Sequence, residues 1–250
     1  MPTTVLITGA NRGIGRGLAE AFLSRPNHIV IAAVRNPETT TLKDFKATEG
    51  SKLILVKIEN TSTTDPAAAV EQMRAAGITT LDIVIANAGI SPVDALRKVE
   101  DMSLDQIRNL FEVNTLSYIT LFQAVRPLLK AAAEGGVATK LLAISSSAGQ
   151  IVDMEPNVPA MVGSYGVSKV ALNFLVRRTH FENPWLSAWV MHPGFVQTDT
   201  GNATAQVLGM TNAPLTLEES VTGLLEAIDG ATKEKTSGKF LNFDGSEIPY

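Results

Sequence analysis

Tyr165 and Lys169 stand four residues apart in Tyr165-Gly-Val-Ser-Lys169. On a helix that spacing puts both side chains on one face. An ammonium beside a phenol favours the phenolate and lowers the phenol pKa from about 10, towards a pH where it exchanges protons readily. Spacing alone equally suits an ordinary Tyr/Lys pair on an exposed helix. A second set lies near the start of the chain, where Val5-Leu-Ile-Thr8 runs into Gly9-Ala-Asn-Arg-Gly13-Ile-Gly15-Arg-Gly17. A strand, a glycine-rich turn and a helix in that order build an anion site. Glycine lets the backbone approach a pyrophosphate, and the helix start offers unpaired N–H groups. The pattern is G-x-x-x-G-x-G rather than the standard G-x-G-x-x-G. An ordinary helix-start loop is the plain alternative, made weaker by the position directly after the first strand. Arg16 stands where a P-loop needs Lys followed by Ser/Thr, which disfavours that motif.

Charge beside the adenosine ribose separates the two nicotinamide cofactors. A carboxylate after strand 2 suits a free 2′-hydroxyl, and arginine suits a 2′-phosphate. The second strand runs Ile29-Val-Ile-Ala-Ala33-Val-Arg35-Asn36, with no carboxylate until Glu38. Arg12, inside the glycine-rich loop, and Arg35 can converge on a phosphate as charge-assisted donors. Solvated surface arginine is the alternative reading. Together they favour NADPH/NADP+.

Composition removes competing chemistries. The chain has no cysteine, which excludes disulfides, thiolate nucleophiles and cysteine metal sites. Its three histidines, His28, His180 and His192, lack metal-ligand spacing, so no metal site is expected. A net charge of −4 without a Lys/Arg block gives no support for nucleic-acid binding. Hydrophobic residues at 45% against 18% charged exclude a disordered chain. No apolar run approaches the ~20 residues of a membrane span, and the N-terminus lacks signal-peptide character. A soluble cytoplasmic protein is expected, with the Asn60 and Asn202 sequons accidental.

These residues need elements to position them. Runs rich in Val, Ile and Leu at 4–8, 28–34, 52–58, 81–86, 139–145, 186–191 and 239–243 read as strands. Several are apolar on both faces, as in the centre of a parallel sheet. Helical patterns fall at 14–25, 65–76, 103–133, 164–181 and 217–230, with starts marked by Thr64-Asp65-Pro66 and by a capping box at Ser103-Leu-Asp-Gln106. The alternation predicts an α/β fold, a single-domain Rossmann-type doubly wound parallel sheet of about seven strands with helices on both faces.

The motifs Thr8–Gly15, Asn87-Ala88-Gly89, Asn114, Ser146, Tyr165-Gly-Val-Ser-Lys169 and Pro193-Gly194 follow one another along nearly the whole chain. In that order the sequence resembles the short-chain dehydrogenase/reductase family. The resemblance implies catalytic roles for Asn114, Ser146, Tyr165 and Lys169. Within Ser145-Ser-Ser147 it selects Ser146, three positions before Gly149. It implies that Asn114, a poor helix former placed mid-helix, holds a helix distortion and a water linking to Lys169. It assigns cofactor contacts to Gly9, Asn11, Arg12, Gly13, Ile14, Gly15, Arg35, Asn87, Ala88, Gly89, Tyr165, Lys169, Pro193, Gly194, Val196 and Thr198. Glu59-Asn60 departs from the family's Asp followed by an apolar residue, which leaves adenine contacts there open.

The resemblance implies NADPH-dependent reduction of a ketone to a secondary alcohol. Oxidation of an alcohol, or a non-catalytic NADP-binding regulator, is the alternative. Arg177–Leu186 and Thr236–Gly245 resemble fungal ketoreductases of aromatic polyketide pathways, the norsolorinic acid ketoreductase type, which implies a bulky or aromatic small-molecule carbonyl substrate from secondary metabolism. Segments 150–163 and 195–215 are expected beside that substrate, the first as an adaptable wall or else a surface insertion, the second as a mobile lid. His192 is read as packing rather than as a base. Family habit implies a homo-oligomer, dimer or tetramer, through the long helices.

Overall fold

Successive residues of the central strands are apolar, and the helices before and after supply a cover for each face. In the computed structural model, which describes residues 2–250 except for the Asn157 side chain, seven parallel strands form one sheet. They are β1 (Thr3–Thr8), β2 (His28–Val34), β3 (Lys52–Lys57), β4 (Ile83–Ala86), β5 (Lys140–Ile144), β6 (Ser187–His192) and β7 (Phe240–Asn242), in the order β3-β2-β1-β4-β5-β6-β7. Each strand's successive side chains point to opposite faces. Leu6, Ile31, Val84 and Val190 pack on one side with helices α2 (Asp65–Ala75), α4 (Ser117–Glu134) and α5 (Gly163–Glu182). Val5, Ile7, Val30, Trp189 and Met191 pack on the other with α1 (Gly13–Leu23) and α7 (Leu217–Gly230). The strands are therefore covered on both faces, which is why they read as continuous apolar runs. The doubly wound fold is as expected from the sequence.

Strand order reverses between β1 and β4, and this opens the crevice where ligands bind such sheets. The glycine-rich turn leaves β1 and the Asn87-Ala-Gly turn leaves β4, so both border that crevice.

Four local expectations are corrected. The helix expected over 103–133 is interrupted: α3 (Leu104–Phe111) passes through a π turn at Glu112–Leu116 before α4 begins. The interruption falls at Asn114, where the family resemblance implies a helix distortion. The 195–215 stretch, for which no helix is expected, contains α6 (Asp199–Val207), capped by the Thr198 hydroxyl, which accepts from Gly201 N. The first turn of α2 is held by Ser62 rather than Thr64, with Ser62 Oγ accepting from Asp65 N at 3.0 Å. Ser103 caps α3 by accepting from Gln106 N, but Gln106 Oε1 finds no partner, so the reciprocal half is missing. A complete capping box stands at Thr216 and Glu219, at the head of α7.

Candidate active site

The glycine-rich turn is built for close approach. Gly9 has φ +67°, and a Cβ there would meet Ala88 Cα at 2.9 Å. The turn is stitched to the end of β4, where Thr8 Oγ1 accepts from Asn87 N (3.1 Å) and Ala88 N (3.0 Å) and Asn87 Nδ2 donates to Thr8 O at 2.9 Å. Helix α1 then starts at Gly13 with no side-chain cap and no acidic residue in its first turn. Its orphan N–H groups and positive dipole end face the crevice without internal competition. This arrangement fits a dinucleotide pyrophosphate. Asn11, Arg12 and Arg35 are exposed around it, and Gly13 and Ile14 are half-buried. Arg12 bonds Asp199 at 2.9 Å, across to the head of α6. Arg35 has no charged or hydrogen-bonded partner among the described residues, and Arg16 is engaged by Glu20 and Thr41.

Ser146, Tyr165 and Lys169 converge at the C-terminal end of β5. The three consecutive serines separate by environment. Ser145 is buried and donates to Asn173 Oδ1 of α5 at 2.5 Å, whereas Ser146 is half-buried, accepts from Ala148 N and hydrogen-bonds the Tyr165 phenol. The turn that follows lies tight against α5. A Cβ on Gly149 would sit 2.9 Å from Lys169 Cβ, and one on Gly166 would sit 2.5 Å from Ala148 O. Lys169 is buried, with Nζ donating to Ile144 O at 2.9 Å and lying 5.6 Å from the centre of the Tyr165 ring.

Electrostatics at this pair runs against the expectation drawn from spacing. Burial pushes the Tyr165 phenol up to about 12, with the Ser146 hydrogen bond pulling it back only in part. Burial also lowers Lys169 to about 8. Desolvation disfavours whichever form is charged, and at Tyr165 it outweighs the Ser146 hydrogen bond that favours the phenolate. Tyr165 is therefore a protonated phenol at neutral pH, the state of a proton donor.

Asn114 lies in the π turn and is buried. Its carboxamide accepts from Ile90 N (2.8 Å) and donates to Ile90 O (2.9 Å) and Ser168 Oγ (3.1 Å). A Cβ on Gly89 would be 3.1 Å from Asn114 Oδ1 and 3.7 Å from Lys169 Nζ, so Gly89 leaves open a space that both side chains border. Beside Asn114 is a cavity of about 20 Å³, bordered also by Thr8, Glu59, Asn60, Ala88 and Ser117. That volume admits one water molecule.

Pro193, Gly194 and Val196 form the turn after β6, with Gly194 at φ +87° against Leu215 and Phe243. Thr198 closes the crevice from the far side, its methyl 3.4 Å from the Cβ position of Gly13. Its hydroxyl is already engaged as the cap of α6. Sequence reasoning missed Ser168, which is fully buried, accepts from Asn114 and donates to Tyr165 O. A serine directly before Lys169, facing the core side of α5, was the available signal.

His192 ends β6 in a desolvated position. Burial lowers it to about 4 from 6.5, and its Nδ1 finds no partner. A group whose folded pKa is depressed adds stability that is present above 6.5 and lost as pH falls through about 4. Urea unfolding of the ligand-free protein should show a loss of at most about 3 kcal/mol over that window from this group. His192→Asn should flatten that part of the profile, and an unchanged slope would sink the assignment.

Similarity to known proteins identifies the family. The family model described as short chain dehydrogenase matches residues 3–208. A norsolorinic acid ketoreductase of Dothistroma septosporum is 45% identical over 252 residues, covering 99% of this chain and 92% of that protein. A short-chain dehydrogenase of Pyricularia oryzae is 43% identical, covering 99% and 98%. The NADPH-bound carbonyl reductase from chicken fatty liver superposes with a TM-score of 0.85 at 29% identity, covering 100% of both chains. A carbonyl reductase from Pseudomonas aeruginosa gives a TM-score of 0.76 at 29% identity, covering 99% and 100%. The chain belongs to the short-chain dehydrogenase family of oxidoreductases.

Proposed function

We propose that the chain is an NADPH-dependent ketoreductase that reduces a bulky or aromatic, polyketide-like ketone to a secondary alcohol. The hydrogen bond between Ser146 and a protonated Tyr165, at the crevice edge beside Lys169, carries this reading. NADPH, when bound, supplies the hydride. Ser146 orients the substrate carbonyl and donates to its oxygen as negative charge develops. Tyr165 gives that oxygen its phenolic proton. Lys169 holds ribose hydroxyls and, once a phosphate-bearing ligand and a phenolate oppose its desolvation, stabilises the deprotonated tyrosine. Asn114 and the small cavity beside it continue the path by which Tyr165 regains a proton. The crevice residues assigned above hold the rest of the nucleotide.

Exposed apolar side chains support the substrate class. Ile151, Val152, Met154 and Met161 project from the 150–163 segment, and Val207 and Met210 from the 195–215 segment. Apolar groups exposed on the two segments expected beside the substrate suit a large apolar ligand.

Tyr165→Phe should lower ketone reduction by about 10²–10⁴-fold, the usual contribution of a general acid. NADPH absorbance with acetonaphthone and phenanthrenequinone as substrates measures it, and near-wild-type turnover would remove Tyr165 from the chemistry. Nucleotide binding without turnover on any ketone or alcohol would instead identify a binding protein. Removing Arg12 and Arg35 together should weaken NADPH by about tenfold or more per arginine, with little change for NADH. Equal losses for both nucleotides would overturn the 2′-phosphate assignment.

The family's habit of assembly points to a homo-oligomer. Phe111, Leu116, Ile119, Val167 and Phe174 form an open apolar face along α3, α4 and α5, the composition of a homodimer core. Phe174→Glu should turn an oligomer into a monomer in light scattering, and a monomeric wild type would reject the interface.

A further inference from the structure

Asn60 follows β3, and the chemistry above makes no use of it. Its Nδ2 donates to Val113 O at 2.9 Å and lies 3.3 Å from Ser117 Oγ and 3.4 Å from Ala88 O. Ser117 Oγ donates to the same Val113 carbonyl at 2.7 Å. Val113 sits inside the π turn, immediately before Asn114. A π turn displaces the helical ladder by one residue, so carbonyls within it need other donors. Here two side chains converge on one of them. Ala88, the third partner, belongs to the turn that carries Gly89, whose open side is bordered by both Asn114 and Lys169. Asn60 therefore joins the two backbone segments that hold Asn114 in place.

We infer that Asn60 is a positioning residue for proton transfer through Asn114 and Lys169, and not a contact for the adenine. By binding the Val113 carbonyl it locks the π turn, and so the carboxamide of Asn114 against Ile90 and Ser168. Its use in catalysis rests on the ketoreductase reading above, whereas the lock itself does not.

Asn60→Leu removes the donor at similar size, and Ser117→Ala removes the second donor to the same carbonyl. Both are made in the full chain. Amide hydrogen exchange without cofactor should speed up at residues 88–90 and 112–117. NADPH affinity, from nucleotide fluorescence, should stay within about twofold, while kcat for acetonaphthone falls about 3–10-fold and its pH profile shifts. The double variant should lose less than the product of the two single losses, because both act on one carbonyl. A tenfold or so weaker NADPH affinity with unchanged kcat would make Asn60 an adenine contact instead. Unchanged exchange together with an unchanged pH profile would remove the positioning role. If Asn60→Leu does not fold, Asn60→Ser and Ser117→Ala supply the same readouts. A wild-type chain without turnover would sink the ketoreductase reading, and the exchange data would still decide the lock.

Discussion

Everything at the crevice hangs on how the end of β1 is joined to the end of β4. Parallel strands that part at a switch point leave their terminal backbone groups unpaired, and buried unpaired groups are costly. Thr8 meets that demand with one hydroxyl that accepts from both Asn87 N and Ala88 N, and Asn87 returns a donor to Thr8 O. The exchange draws the two turns so close that only glycine fits at position 9. With the turn fixed, α1 can begin uncapped, and the N–H groups left over become the anion site. Binding capacity here comes from what the helix start lacks as much as from what it contains.

The catalytic cluster is the second consequence of close packing. Gly149 and Gly166 let the turn after β5 lie directly on α5, which brings Ser146 to Tyr165 and buries Lys169. Burial has opposite effects on the two ionisable groups, raising the phenol and lowering the ammonium. The spacing argument captured the shared helix face and the attraction between the charges. It could not weigh that attraction against desolvation, because the weight depends on how many other elements surround the pair.

Other differences have the same origin. The π turn at 112–116 and the helix at 199–207 are set by partners far along the chain. Asn114 is drawn out of the α ladder by Ile90 and Ser168, and α6 is tied to the glycine-rich loop by Arg12 and Asp199. Asn60 was legible as a departure from a pattern, yet its partners, Val113 and Ser117, lie more than fifty residues away. Local propensity contains no term for such contacts.

What the sequence determined by itself was therefore whatever repeats or recurs locally: the alternation of apolar strands with helices, the glycine turn after the first strand, the Tyr165/Lys169 face, and the ordered motifs that mark the family. Tertiary structure alone decided how far burial shifts Tyr165 and Lys169, which partners hold the π turn at Asn114, that a helix forms over 199–207, and what Asn60 holds. The physical reason is that the first group of properties arises from neighbours within a few residues, whose geometry the backbone dictates. Those of the second depend on burial and hydrogen bonds between segments that only the closed sheet brings together.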